Sequence, residues 1–508
     1  MTELHITTGS HFFKTTNITP RARPVIDSYC KTLLQYGWQK ERNKFIRVPL
    51  KVFAMATNER TESRFHINLL QQFERHLERH AITGNMIKYD ALPIPTPTKV
   101  ELEMKSNWVL RDYQIPVVDY LISDNAPVAK FVNLPTGTGK GMVTLKAMSI
   151  LGLRTLIVVK PMYLEKWAIE LDEKFNILPE DITVIRGSSQ LIDLLSLADS
   201  NEFTSKVILI SSKTIANWLK LYEKYITETL EIGYACLPED LCKILGIGIL
   251  VLDEVHQEFH SNFKFLLTTN VFRSISLSAT LISEDEFISK MYGVAYPTTS
   301  QYGGTAYNKY VNATAVFYRF KNPFKIKHQD YVSKNYNHHL LEQSVLKHHP
   351  TKINYLNLIN DAFKGSYLQD YVPGQRCLIF CISIDMCDAV VKHLRNLYSH
   401  LTINRYVADD DFESLMNSDV SVSTLGSAGT AVDIPLLHTV ILTIAVSSIQ
   451  ANIQSLGRLR ALKDGRNPRF LYFVCEDIKK HLDYHERKRE VLSTRALNYN
   501  NVHIGNPI

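Results

Sequence analysis

Lys140 stands behind the run Leu134-Pro135-Thr136-Gly137-Thr138-Gly139, with Gly141 after it. Residues 129–133 ahead of the run read as a short strand, and residues 142–148 behind it read as a helix start. A strand, a tight glycine turn, a lysine and a helix N-terminus bring backbone N–H groups and partial positive charge onto phosphate oxygens. Lys140 is then placed for the β- and γ-phosphates of a bound triphosphate, with Pro135, Thr136, Gly137, Thr138, Gly139 and Gly141 forming the cradle. Two positions depart from G-x-x-x-x-G-K-[ST]. Leu134 takes the place of the first glycine, and Gly141 that of the hydroxyl that normally sits on Mg²⁺.

A second stretch carries paired acids. The apolar run 247–252 leads straight into Asp253-Glu254, and a charge pair at the end of a buried strand needs a counterpart. Asp253 would hold Mg²⁺, directly or through water, and Glu254 would orient and deprotonate an attacking water. His256 either couples this site to another segment or is a satisfied structural histidine. Ser278 and Thr280, in Ser-Ala-Thr, follow a strand-like stretch, and their hydroxyls could bridge the site to a neighbouring domain. Upstream, Arg111 and Gln114 lie where a helix opens; a glutamine amide offers the donor and acceptor an adenine edge requires.

These groups need a scaffold, and the hydropathy pattern supplies one. Residues 155–160 and 206–212 are continuous apolar strands separated by helical stretches, as in a parallel sheet covered on both faces, where ligands sit at strand C-termini. Residues 376–381 begin a second strand–helix series, with Cys377 and Cys381 expected in its core. Residues 1–92 alternate strand-like and helix-like patterns and read as a small α+β domain. The proline alternation over residues 92–98 marks a linker. The expected division is 1–92, 99–300 and 310–508, the last ending in a charged helical tail.

The net charge of +6 is unevenly spread: residues 1–100 hold 15 Lys/Arg against 8 Asp/Glu, a balance of +7. A basic module on a near-neutral body suggests a polyanion partner. Lys44 and Arg47 lie close to Trp38 and Phe45, a mixture suited to phosphates and stacked bases, but the expectation is that both aromatics are core. No apolar run approaches the ~20 residues of a membrane helix. The seven scattered cysteines suit a reducing cytoplasm. The pairs His338-His339 and His348-His349 lack supporting ligands and are expected on solvated helix or loop.

Taken in order, the glutamine motif, phosphate loop, Asp-Glu-Val-His and Ser-Ala-Thr resemble the first motor domain of superfamily 2 helicases. Residues 421–435 resemble that superfamily's motif V, and Gln454-Ser455-Leu456-Gly457-Arg458-Leu459-Arg460 resembles its motif VI. The resemblance implies two RecA-like parallel-sheet motor domains preceded by the small basic α+β domain, with ATP and Mg²⁺ as cofactors. It implies that Arg458 or Arg460 neutralises charge on the γ-phosphate, that Asp433 lies near the nucleotide sugar, and that Gln454 joins the coupling motifs. Nucleic-acid contact is implied for Lys160, Pro161, Ser212, Lys213 and Thr424.

The compact size and basic N-terminal module are most similar to phage DNA helicases of the UvsW type. The expectation is an ATP-dependent DNA helicase or translocase that remodels forked or branched DNA, regressing forks and migrating Holliday junctions in replication, recombination or repair. A monomer is favoured. The alternatives are an RNA-directed helicase, the motor subunit of a restriction or remodelling complex, and an ATP-binding clamp without turnover.

Overall fold

The computed structural model describes residues 3–508 except 42–43, 58–60, 125–126, 135–137, 200–202, 229–235, 279–280, 282, 284, 303–308, 332, 408–409, 411, 429–433, 447–455, 457, 461 and 463. The chain divides into two compact units, Met1–Thr305 and Ala306–Ile508.

In the first unit seven strands form one sheet in the order Ile182–Ile185, Val207–Ser211, Thr155–Val159, Ile249–Leu252, Arg273–Ser278, Ala129–Asn133, Gln301–Tyr302. Every pairing is parallel. The inner strands are buried along their length, which is why they read as unbroken apolar runs. Numbered by position in the chain, the order is 3-4-2-5-6-1-7. The second unit repeats it. Its strands run Ile403–Tyr406, Val420–Thr424, Arg376–Cys381, Leu437–Leu442, Arg469–Cys475, Val311–Tyr318, Ala496–His503, again all parallel. Two sheets of one topology are the RecA-like pair expected from the sequence.

The tail corrects one expectation. The helix Lys479–Arg495 is present, but the chain then returns as the edge strand Ala496–His503 beside Val311–Tyr318. Nor is that helix a plain solvated one, because Lys488 is buried and its ammonium lies 4.3 Å from the Tyr472 ring centroid. His338 is buried too, held to Tyr336 and to the Ala445 N–H, rather than on a solvated face. Cys377 and Cys381 lie in the core as expected.

Residues 4–91 form a five-stranded mixed sheet in the order Met55–Ala56, Ser63–His66, Phe12–Thr16, Leu4–Thr8, Ile87–Ala91. Helices Ala22–Lys31 and Leu70–Arg79 accompany it. Leu69, Phe73 and Leu77 are buried at helical spacing, and Phe13, Phe65 and Phe73 cluster with ring centroids 5.2 Å apart.

This module is no tethered appendage. Phe53 inserts among Phe259, Phe263 and Phe287 of the parallel-sheet domain, and His11 Nε2 lies 2.6 Å from Ser274 Oγ. The proline stretch is strapped at both ends, by Leu92 N–H to Thr8 O and by Thr98 N–H to Gly246 O.

Candidate active site

Parallel pairing fixes where the motifs meet. Asn133 pairs with Ser278, Leu252 with both Ser276 and Val158, and Val159 with Ser211. Five neighbouring strands therefore end along one rim, and the phosphate loop, Ser-Ala-Thr, Asp-Glu-Val-His and Lys160-Pro161 leave from four of them.

Behind the loop the helix Lys140–Leu151 opens with Gly139 as its N-cap at φ +85°. That left-handed turn suits glycine, and a Cβ there would run into Gln114 Nε2. Gln114 is buried and braces the loop: its Nε2 donates to Thr138 O at 2.9 Å, and its Oε1 accepts the Arg111 N–H at 2.9 Å. Tyr113 Oη donates to the same Thr138 carbonyl at 3.0 Å, and Lys140 Nζ donates to Leu134 O at 3.2 Å. Pro135, Thr136 and Gly137 lie outside the described residues, as do Thr280, Asp433 and Gln454.

Gly141 has a structural counterpart. A Cβ at this position would stand 2.7 Å from Glu170 Oε2, on the helix Leu164–Lys174. The space beside the missing hydroxyl thus holds a carboxylate, which also pairs with Lys174 at 3.6 Å.

The same helix reaches the acids. Trp167 Nε1 donates to Asp253 Oδ2 at 2.9 Å, while Asp253 Oδ1 accepts the Glu254 N–H at 2.9 Å. Loss of solvation and then the Glu254 charge push the Asp253 carboxyl up, against the pull of Trp167, Lys140 and Lys166. Glu254 sits at φ +46°, a left-handed conformation in which a non-glycine residue carries strain.

His256 Nδ1 lies 2.7 Å from Ser278 Oγ and 3.3 Å from Glu254 Oε2. Burial, with the charges of Lys140 and Lys160, lowers its pKa to about 3, so the ring is neutral at ordinary pH. Ser212, buried, and Lys213, exposed, begin the helix after the strand Val207–Ser211. Lys213 and His256 line one cavity of about 650 Å³.

In the second unit Leu456 and Leu459 are buried in the core, Arg458 is buried beside them and Arg460 is half-buried. Tyr310 Oη donates to Leu459 O at 3.0 Å. Thr424 ends its strand with Oγ1 2.9 Å from Ser427 Oγ. Among the described residues no group of three or more His, Cys, Asp and Glu could hold a metal ion. A magnesium ion here would take Asp253 and rely on nucleotide phosphates and water for the rest, an arrangement usual for that ion.

One expectation changes. Trp38 is not core: it is 69 % exposed, on a hairpin that also displays Arg47 and Lys44. Trp167 and Glu170 were not singled out as site residues. The available signal was their i, i+3 spacing, which places both on one helix face.

No family model matches the chain. It is 26% identical over 202 residues to the TFIIH basal transcription factor complex helicase/translocase XPB subunit of Trypanosoma brucei brucei, a stretch covering 39% of this chain and 20% of that protein. It is 25% identical over 182 residues to the DNA 3'-5' helicase XPB of Kineococcus radiotolerans, covering 36% and 28%. The chain therefore spans under a third of either relative. Among solved structures, the ATP-dependent Type ISP restriction-modification enzyme LlaBIII bound to DNA superposes over 78% of this chain and 32% of that one, with TM-score 0.53 and 13% identity. No described helix is long and apolar enough to cross a membrane. Over part of its length the chain is thus similar in sequence to two XPB helicases, and its fold is similar to that of LlaBIII.

Proposed function

We propose that the chain is an ATP-dependent nucleic-acid helicase or translocase that works on forked or branched DNA. The observation that carries the motor reading is the shared rim, where in-register parallel strands bring the phosphate loop, Asp253-Glu254 and the His256–Ser278 pair together. With ATP bound, Lys140 would neutralise phosphate charge, Asp253 would hold the magnesium ion, and Glu254 would accept a proton from the attacking water. His256, neutral and bonded to Ser278, carries the state of the acid pair to the neighbouring strand end. Arg458 and Arg460 are assigned the guanidinium role.

DNA rather than RNA is supported by the Kineococcus relative's description as a DNA helicase and by the basic N-terminal module. Branched substrates are supported by the similarity of that module and the motor motifs to UvsW-type helicases.

The test is ATP turnover with single-stranded, duplex, forked and four-way DNA and with structured RNA. Forked or four-way DNA is expected to stimulate most. Lys140→Ala and Glu254→Gln are expected to lower turnover by about 10²–10⁴-fold while both variants still bind DNA. Equal turnover with every polymer would remove the branched-DNA reading, and normal turnover in Lys140→Ala would remove the site.

A further inference from the structure

Among the described residues, the strands Leu34–Glu41 and Lys44–Val52 pair only with each other and do not join the five-stranded sheet of their module. Cross-strand partners share a face, so Trp38 opposite Arg47, with Tyr36 two residues away, forms one aromatic and basic surface. The Arg47 guanidinium lies 4.8 Å from the Tyr36 ring centroid. Trp38 is 69 % and Tyr36 40 % exposed, an indole and a phenol that a core would have taken up. In sequence, residues 34–52 carry five Lys/Arg against one acid, Glu41.

The root of this ribbon is fixed to the element that follows the acid pair. The His260 ring lies 2.8 Å from Val52 O, Gln35 Nε2 donates to Asp285, and Phe53 packs on Phe259 and Phe263. His260 opens the helix four residues beyond His256. Beneath the root lies the cavity of about 650 Å³, lined by Gln35, Lys51, Lys213, Lys220 and His256. One passage, lined by three lysines and by the carboxylates of Glu258 and Asp285, therefore joins the nucleotide-site histidine to the foot of an exposed aromatic ribbon.

We propose that this hairpin is a strand-parting pin: Trp38 stacks on an unpaired base at a boundary between duplex and single strand. Arg47 meets the adjoining phosphates, and Lys51, Lys213 and Lys220 hold the backbone in the root cavity. Bases offer π-faces and phosphates offer charge, which are the two chemistries this surface displays. A second copy of the chain would bring the same positive charge against it. The proposal rests on the reading of the chain as a nucleic-acid motor.

The test uses the full chain and three oligonucleotides: a single strand, a blunt duplex and a fork. The chain has four tryptophans, so the fluorescence change lost in Trp38→Phe reports Trp38 alone. Fork binding is expected to quench that component. Trp38→Ala is expected to weaken fork binding about tenfold and blunt-duplex binding far less. Thermal melting and DNA-independent ATP turnover should stay unchanged, because the side chain is in water. Equal quenching in Trp38→Phe, or equal affinities in Trp38→Ala, overturns the pin. So does an equal loss on fork and blunt duplex, which reduces the hairpin to a general grip. A concentration-dependent dimer abolished by Trp38→Ala would assign the face to a second copy and overturn it as well. If no nucleic acid stimulates wild-type turnover, the motor reading itself fails. If stimulation is normal and Trp38→Ala matches wild type, only the pin does.

Discussion

Trp167 Nε1 donates a hydrogen bond to Asp253 Oδ2 at 2.9 Å. The two residues lie on different elements, a helix and a strand end, and the bond fixes the carboxylate proposed to hold magnesium. It also opposes the upward push that lost solvation and Glu254 exert on that carboxyl. A hydrogen bond to a charged group contributes about 1.5–3 kcal/mol. Trp167→Phe keeps most of the packing and removes the bond. Turnover is expected to fall tenfold or more (about 1.4 kcal/mol per decade). The acid limb of the rate profile should move to higher pH, because the Asp253 carboxyl is freed to rise further. Steady-state ATP turnover against pH and magnesium concentration checks this, and an unmoved acid limb would separate Trp167 from Asp253.

The two glycines flanking Lys140 should respond in opposite ways. Gly139→Ala meets both a left-handed backbone and Gln114, so the loop must distort; the backbone term alone is about 1–2 kcal/mol. Gly141→Ser meets only the far end of the Glu170 side chain, which can swing away at the expense of its ion pair with Lys174. Because Lys174 is buried, weakening that pair leaves its ammonium less compensated, and Gly141→Ser is expected to cost about 1 kcal/mol, less than Gly139→Ala. Adding Glu170→Ala should relieve the crowding without restoring the pair. Nucleotide affinity and thermal melting of the three variants measure the contrast.

Lys488 makes stability depend on pH. Burial lowers its pKa from 10.5 to about 7, so between those values the unfolded chain takes up a proton that the folded chain does not. Stability then rises with pH across that window and its penalty is complete below it. Lys488→Met is expected to stabilise the protein at neutral pH by roughly 1–3 kcal/mol. The gap should close as pH approaches 10.5. Denaturant melts at several pH values check the sign.

Removing residues 1–90 should cost the first unit its solubility, contrary to what a linker at residues 92–98 suggests. The cut would strip Phe53 from Phe259 and Phe263 and leave Ser274 without His11. Losing one large buried aromatic costs about 3–5 kcal/mol. Limited proteolysis of the truncated chain, compared with full length, measures the loss. Point changes on the hairpin are the better probe of the module's role.

Residues whose meaning is local could be read directly from the chain. The glycine–lysine turn, the acids ending an apolar run and the strand–helix alternation are set by neighbours in sequence, since backbone geometry and burial period need only a few residues to declare themselves. They were sufficient for two RecA-like sheets and for the rim proposed to carry the chemistry. Other features were decided by groups far apart in the chain. Glu170 faces Gly141, Trp167 reaches Asp253, and Lys488 lies over Tyr472 because helices pack on sheets in a register no short window contains. Trp38 shows the same limit: an indole has one composition whether it is buried or displayed, and the pairing of two strands that, among the described residues, join no larger sheet left it in water.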